Sequence, residues 1–426
     1  MRHFNITLLI IAIGFLFSSF CFENKGRKSI VGNLYSKENT NPENFIDSTS
    51  SATFSKSSLK TVQNSNPDSI KNETKPLKKE AYLLSRQYDK LQLALEKYEK
   101  IERKKLWKKI DIDSATFKDL KPFDSGVAVK QIRERLFIDG DLKKDSKSTI
   151  YNEELMAGVL NYKKRYGLAL NYKLTLDHIK QMNEPISERI KTIQLNMERC
   201  RLIPENLINA SDYIMVNIPS YRLLYVKNGH SEFTSDVFVG TKWSETEIFS
   251  STMDKVVFSP YWNVPQSIID NELKLNMASN KNYLEEHNME WNGGKVRQKP
   301  GPKNSLGLVK FLFPNPFDIY MHDTPAKSLF QFEQRTFSHG CINIKEAKKL
   351  AHVILKDDAD WPSEKIDLAM NGEIETTCIL KNKIPIYIGY FTAWVSEDTG
   401  EVNFFSDVYE KDKEKEVDGS KNVVME

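Results

Sequence analysis

Two short segments carry most of the chemistry in this chain: Ile319-Tyr320-Met321-His322-Asp323-Thr324-Pro325 and Phe337-Ser338-His339-Gly340-Cys341-Ile342-Asn343. A cysteine attacks as the thiolate, and a free thiol titrates near ~8.5. An imidazole within hydrogen-bond reach takes that proton, and the resulting ion pair is favoured. Gly340, directly before Cys341, lets the backbone bend sharply and lets a substrate approach. Backbone N–H groups of Gly340 and Cys341 are then placed to hold an oxyanion. The chemistry of such a set is acyl transfer. Two plainer readings stand beside it. A lone cysteine near a histidine is more often structural, and His322, His339 and Cys341 also form a three-donor set for zinc.

The elements that must position these residues are short strands. Tyr213–Ile218 reads as a strand, Pro219-Ser220 as a turn and Tyr221–Val226 as a second strand. Asn228-Gly229 is a hairpin turn, and Phe233–Val239 returns. Lys255–Phe258, Val309–Phe313 and Ile319–Met321 are further β runs, predicting a sandwich or barrel-like sheet. His322 ends one strand, and Cys341 sits at a turn leading into a helix that starts near Lys345. Two strand ends meeting across a sheet would bring them together. Between Val264 and Pro300 the strand pattern lapses into a polar, helix-leaning stretch ending near Trp291-Asn292-Gly293-Gly294. This is an insertion at about 265–300, read either as a lid with a soft glycine hinge and little core or as a surface loop.

Upstream the period is helical. Residues 78–111 carry Leu83, Tyr88, Leu91, Leu95, Tyr98 and Ile101 among many charges, an amphipathic helix that either packs on the body or stands in solvent. Residues 112–183 form a compact helical unit with turns at Pro122–Gly126 and Gly140-Asp141, and residues 184–210 a connecting helix. Met1-Arg2-His3 followed by the apolar run Phe4–Phe22 reads as an export signal. An uncleaved membrane anchor over residues 1–22 is the first reading, a cleaved signal the second and a lipoprotein at Cys21 the third. Residues 23–77 are Ser-, Asn-, Lys- and Thr-rich and form a disordered tether. The expected location is the periplasm, tethered to the inner membrane.

A formal net charge of +3, with no basic stripe carrying interleaved aromatics, gives no case for nucleic acid. The four cysteines match neither a metal site nor a disulfide framework. Cys200 and Cys378 read as small buried hydrophobes, with a bridge between them as the alternative. Downstream, residues 384–410 read as a C-terminal β hairpin and 411–426 as a charged, disordered tail.

His322, an intervening loop and Ser338-His339-Gly340-Cys341 resemble the signature of the YkuD-type L,D-transpeptidases. Arg297–Gly307, Lys310-Phe311 and His322-Asp323-Thr324-Pro325 resemble the YcbB-like subgroup. The 112–183 unit resembles a peptidoglycan-binding-like module, but Tyr162-Lys163 stands where that family has phenylalanine and glutamine, and its glycine-rich turn is missing near Ala169–Tyr172. The implied architecture is multidomain α+β: the helical module, then a mostly β catalytic domain over 211–383. The resemblance implies an acyltransferase that needs no metal or other cofactor and forms 3→3 peptidoglycan cross-links. Its partners would be a donor tetrapeptide stem and the diamino acid of an acceptor stem. It implies Cys341 as nucleophile, His322 as base then acid, and the Asp323 carbonyl as its orienting group. Ser338 and His339 would shape the pocket, Gly340 and Cys341 supply oxyanion donors, and Asn343 fix the turn. Arg297 and Tyr320 would contact substrate. An L,D-carboxypeptidase or a non-enzymatic wall-binding protein are the alternatives.

Overall fold

The computed structural model describes residues 84–414. The predicted anchor, the tether and the last twelve residues lie outside that range. Among the described residues no helix is long and apolar enough to cross a membrane.

The strands are β1 (Tyr213–Asn217), β2 (Arg222–Lys227), β3 (His230–Gly240), β4 (Phe249–Phe258), β5 (Trp262–Asn263), β6 (Met289–Asn292) and β7 (Lys295–Gln298). They continue with β8 (Val309–Leu312), β9 (Met321–His322), β10 (Thr336–Ser338), β11 (Ile342–Ile344), β12 (Thr376–Gly389), β13 (Ala393–Val395) and β14 (Val402–Phe404). Nine of them form one mixed sheet in the order β10-β3-β11-β9-β8-β4-β12-β1-β2, and a β2–β3 pairing closes it on itself. Closure removes free edges. The barrel-like expectation holds.

Alternation explains how one sheet serves two cores. Ile214 and Val216 of β1 point into a core with Val237, Val256, Phe311, Met321 and Ile342, which the helices Ala347–Leu355 and Ser363–Met370 also enter. Tyr213 and Met215, on the other face, join a second core with Leu91, Tyr98, Ile132, Tyr162 and Ile193 of the helical region. The helix Gln87–Arg103 therefore packs on the body rather than standing in solvent, with Leu91 and Tyr98 fully buried. The helical segments share this core with one face of the catalytic sheet, so it runs across the expected boundary near residue 210.

Three further expectations need correction. Residues 384–389 are not part of a terminal hairpin: they complete β12, which pairs with β4 and, in parallel, with β1. A register irregularity between Ile379 and Ile384 splits the alternation and makes one long strand read as two. The hairpin itself is only β13–β14. The tail is not wholly free, since Lys411–Glu414 is helical and Asp412 pairs with Arg199 at 2.7 Å. The insertion is not a soft flap. It has its own sheet β5-β7-β6 and its own core of Val264, Ile269, Leu273, Tyr283, Met289 and Val296. Gly293 and Gly294, at φ +57° and +79°, make the β6–β7 turn rather than a hinge. Cys200 and Cys378 are free and buried, as expected without a bridge.

One buried ion pair fastens the helical region to the hairpin. Arg165 donates to both oxygens of Asp141 at 2.7 Å and to the Val402 carbonyl at 2.6 Å. Asp141→Ala would leave that buried guanidinium with only Asp139, at 3.6 Å, as its carboxylate, so we expect a loss of up to about 3 kcal/mol of stability in urea denaturation.

Candidate functional site

Parallel pairing of β9 with β11 aligns Met321 with Ile342 and His322 with Asn343. The Ile342 amide donates to the Tyr320 carbonyl at 3.0 Å. Adjacent strands lie about 4.8 Å apart, so the two chemistry-bearing segments run side by side. Side chains alternate along each strand. Tyr320 and His322 on one strand therefore share a face with Cys341 and Asn343 on the next.

His322 is 5% exposed. Its Nδ1 lies 2.5 Å from the Asp323 carbonyl oxygen. A carbonyl only accepts, so Nδ1 carries the proton and Nε2 keeps its lone pair. Burial, with lesser contributions from Lys310 and Lys327, lowers the imidazole to about 4. The Asp323 carboxylate does other work: it accepts from the Leu308 amide at 3.0 Å and pairs with Lys327 at 2.6 Å.

Cys341 is partly exposed. Its thiol faces the Asp318 carbonyl at 3.8 Å, from a residue held at φ +55°. Burial pushes the thiol up to about 11, partly offset by the amide and hydroxyl of Tyr320, which both face the sulfur. Burial penalises the charged form of both partners and so works against the expected ion pair.

The turn before Cys341 is held from several sides. Ser338 Oγ donates to the Cys341 carbonyl at 2.5 Å and accepts from the Gly340 amide at 3.2 Å. Gly340 sits at φ +109°, which disfavours any other residue. Since its amide is already engaged, the Cys341 amide is the better candidate of the two for an oxyanion. Thr246 Oγ1 donates to the Gly340 carbonyl at 2.7 Å and accepts from the Gly240 amide at 2.9 Å. Tyr409 Oη donates to the Gly240 carbonyl at 2.7 Å and accepts from the Thr246 amide at 3.2 Å. Sequence reasoning missed Thr246, Tyr409 and Asp318, because nothing local marks a residue that supports a turn from far along the chain.

The remaining predicted residues divide. His339 is half exposed and turns outward, its Nε2 2.9 Å from Glu272 of the insertion. That contact holds the insertion against the nucleophile turn and raises the imidazole above its ordinary value. Asn343 is buried within β11, so it forms part of the floor rather than an open substrate contact. Arg297 has partners of its own. It pairs with Glu290 at 2.6 Å and lies over the Tyr261 ring inside the insertion. With His339 facing Glu272, the three-donor zinc set does not assemble. Among the described residues no group of three His, Cys, Asp or Glu side chains converges as a metal site.

Comparison with known proteins adds to this geometry. Residues 211–368 match the model of the YkuD family, the L,D-transpeptidase catalytic domain. A Haemophilus influenzae protein named "Putative L,D-transpeptidase" is 30% identical over 243 residues, covering 52% of this chain and 48% of that protein. The chain thus spans about half the length of the curated relative it matches. Solved structures of L,D-transpeptidases from Stackebrandtia nassauensis (14% identical, 66% of this chain and 95% of that one, TM-score 0.25) and Mycobacterium smegmatis (14%, 42% and 58%, TM-score 0.24) are also similar. In residues 211–368, which hold both His322 and Cys341, the chain carries an L,D-transpeptidase catalytic domain of the YkuD family.

Proposed function

We propose that the chain is an L,D-transpeptidase that makes 3→3 peptidoglycan cross-links through a thioester on Cys341, acting outside the cytoplasm. The observation that carries this reading is the parallel β9–β11 pairing, which sets His322 and Cys341 on one face with Nε2 of His322 unprotonated. Nε2 takes the thiol proton as sulfur attacks the carbonyl carbon preceding the terminal D-Ala of a tetrapeptide stem. The carbonyl oxygen becomes an oxyanion, which the Cys341 amide stabilises. The C–N bond then breaks, and His322 returns the proton to the leaving amine of D-Ala. The side-chain amine of a diamino acid in a second stem attacks the thioester and gives up a proton to His322. The new amide forms as the sulfur leaves and regains its proton. No step calls for a charge on Cys341 at rest.

Incubation with a soluble disaccharide-tetrapeptide should yield a 3→3 dimer by mass spectrometry, and a carbapenem should add covalently to Cys341. Release of D-Ala without dimer would move the assignment to an L,D-carboxypeptidase.

Tyr320 would donate its hydroxyl to the developing thiolate. A hydrogen bond to a charged group contributes about 1.5–3 kcal/mol. Tyr320→Phe should therefore slow acylation by roughly tenfold or more. The same change should move the pH midpoint of Cys341 alkylation upward. An unmoved midpoint would remove the phenol from this role.

A further inference from the structure

The Asp-Thr-Pro turn after His322 brings Lys327 back beside Asp323. Thr324 Oγ1 accepts from the Ala326 amide at 3.1 Å, and the Lys327 amide donates to the Pro325 carbonyl at 2.8 Å. The Lys327 ammonium then lies 2.6 Å from one oxygen of the Asp323 carboxylate. It also donates to the carbonyls of Ile344 at 3.3 Å and Lys345 at 2.5 Å, at the end of β11. The other Asp323 oxygen accepts from the Leu308 amide at 3.0 Å, and the Asp323 amide donates to the Val309 carbonyl at 2.9 Å. One carboxylate therefore ties β8 and β9 to β11, the strand that starts directly after Cys341.

The surroundings are shaped around that carboxylate. Asp323 is 3% exposed, and a Cβ on Gly307 would stand 2.4 Å from its Oδ2. Burying a carboxylate is costly unless a cation and hydrogen bonds meet it. An asparagine oxygen would accept from the Leu308 amide just as well. The charge is therefore needed for Lys327, which reaches over to β11. The same residue's main chain aims the base, because the Asp323 carbonyl takes the Nδ1 hydrogen of His322. A shift of this backbone would turn the imidazole.

We propose that Asp323 and Lys327 are positioning residues: their carboxylate–ammonium pair clamps the strand of the base to the strand after the nucleophile, and so sets His322 against Cys341. The proposal rests on the roles given to those two residues above. Charge and position make opposite demands on it. Lys310 and Lys327 push the His322 imidazole down, while Asp323 pushes it up. Removing the Lys327 cation would, on charge alone, strengthen the base and leave the rate equal or higher. Removing the clamp would slow the reaction instead.

The test is carbapenem acylation of the full chain, followed by intact mass over a range of carbapenem concentrations. Lys327→Met should lower the maximal rate about tenfold and leave the half-saturating concentration within about twofold. Asp323→Asn should lose as much. Lys327→Arg, whose guanidinium can span the carboxylate and the carbonyls, should regain most of the rate. The second readout is the proton NMR resonance of His322 Nδ1–H, identified by its absence in His322→Gln. It should move upfield in Lys327→Met and Asp323→Asn and return in Lys327→Arg. A Lys327→Met chain with the parental rate or a higher one would overturn the proposal. So would a loss confined to the half-saturating concentration, or an unmoved resonance. A parent chain that forms no adduct would count against the catalytic reading. The resonance and the rate of Cys341 alkylation by iodoacetamide would then judge the clamp alone.

Discussion

Cys341→Ala is expected to remove all cross-linked dimer and all covalent carbapenem adduct while leaving the fold intact. Cys341 is partly exposed, and its thiol faces the Asp318 carbonyl at 3.8 Å and the amide and hydroxyl of Tyr320. Its loss therefore opens no core cavity, and thermal stability should stay within about 0.5 kcal/mol of the parent chain. Removing the nucleophile of a covalent mechanism removes the acyl-enzyme itself, a loss of about 10⁶-fold where such residues have been deleted. The cysteines left in the described part of the chain cannot replace it. Cys200 and Cys378 are buried, and burial pushes their thiols up to about 12 and about 11. Intact mass after carbapenem treatment reads the outcome directly. A Cys341→Ala protein that still forms dimer or adduct would sink the assignment of the nucleophile. One that makes no dimer yet performs its full biological role would leave a wall-binding protein instead.

His322→Gln should lower the acylation rate by about 10²–10⁴-fold, the range for a positioned general base. Glutamine retains polarity and approximate size but takes no proton, so the loss should fall on the chemical step more than on binding. The pH profile separates this role from a structural one. The imidazole sits at about 4 in the folded chain, against about 6.5 when free. It is the working base only when neutral, so activity should persist well below pH 6 and be lost as pH falls through about 4. The same shift acts on stability. Between ~6.5 and about 4 the unfolded chain holds more protons at this position than the native one. Stability at this site is thus full above the upper value and declines as pH drops toward the lower one. An acid limb near 6.5 for the rate would mean that His322 is more open to water than its 5% exposure states.

Burial works against charge on both groups, holding the thiol up and the imidazole down. General-base attack needs Nε2 free when the carbonyl is in place. The Asp323 carbonyl secures that by taking the Nδ1 hydrogen. The insertion adds a second layer of control, because Glu272 grips His339 two residues before the nucleophile. It does so as a folded piece with its own core.

Residue types alone left acyl transfer beside plainer readings; it was the resemblance carried by His322-Asp323-Thr324-Pro325 and Ser338-His339-Gly340-Cys341 that singled out Cys341 and His322, while the alternating strands were enough to expect a barrel-like sheet. Helix periodicity likewise placed the segments before residue 210. What the linear order could not decide was pairing and burial. The β9–β11 register, the irregularity that joins residues 376–389 into one strand, and the core shared between helices and sheet arise from contacts between distant segments. Hence Thr246 and Tyr409 escaped notice: a supporting hydroxyl looks the same in sequence as a free one. Charge state followed the same rule. Sequence supplies the titratable groups, but only the surrounding protein sets how much water each keeps, and that loss of water pushes the Cys341 thiol up and the His322 imidazole down.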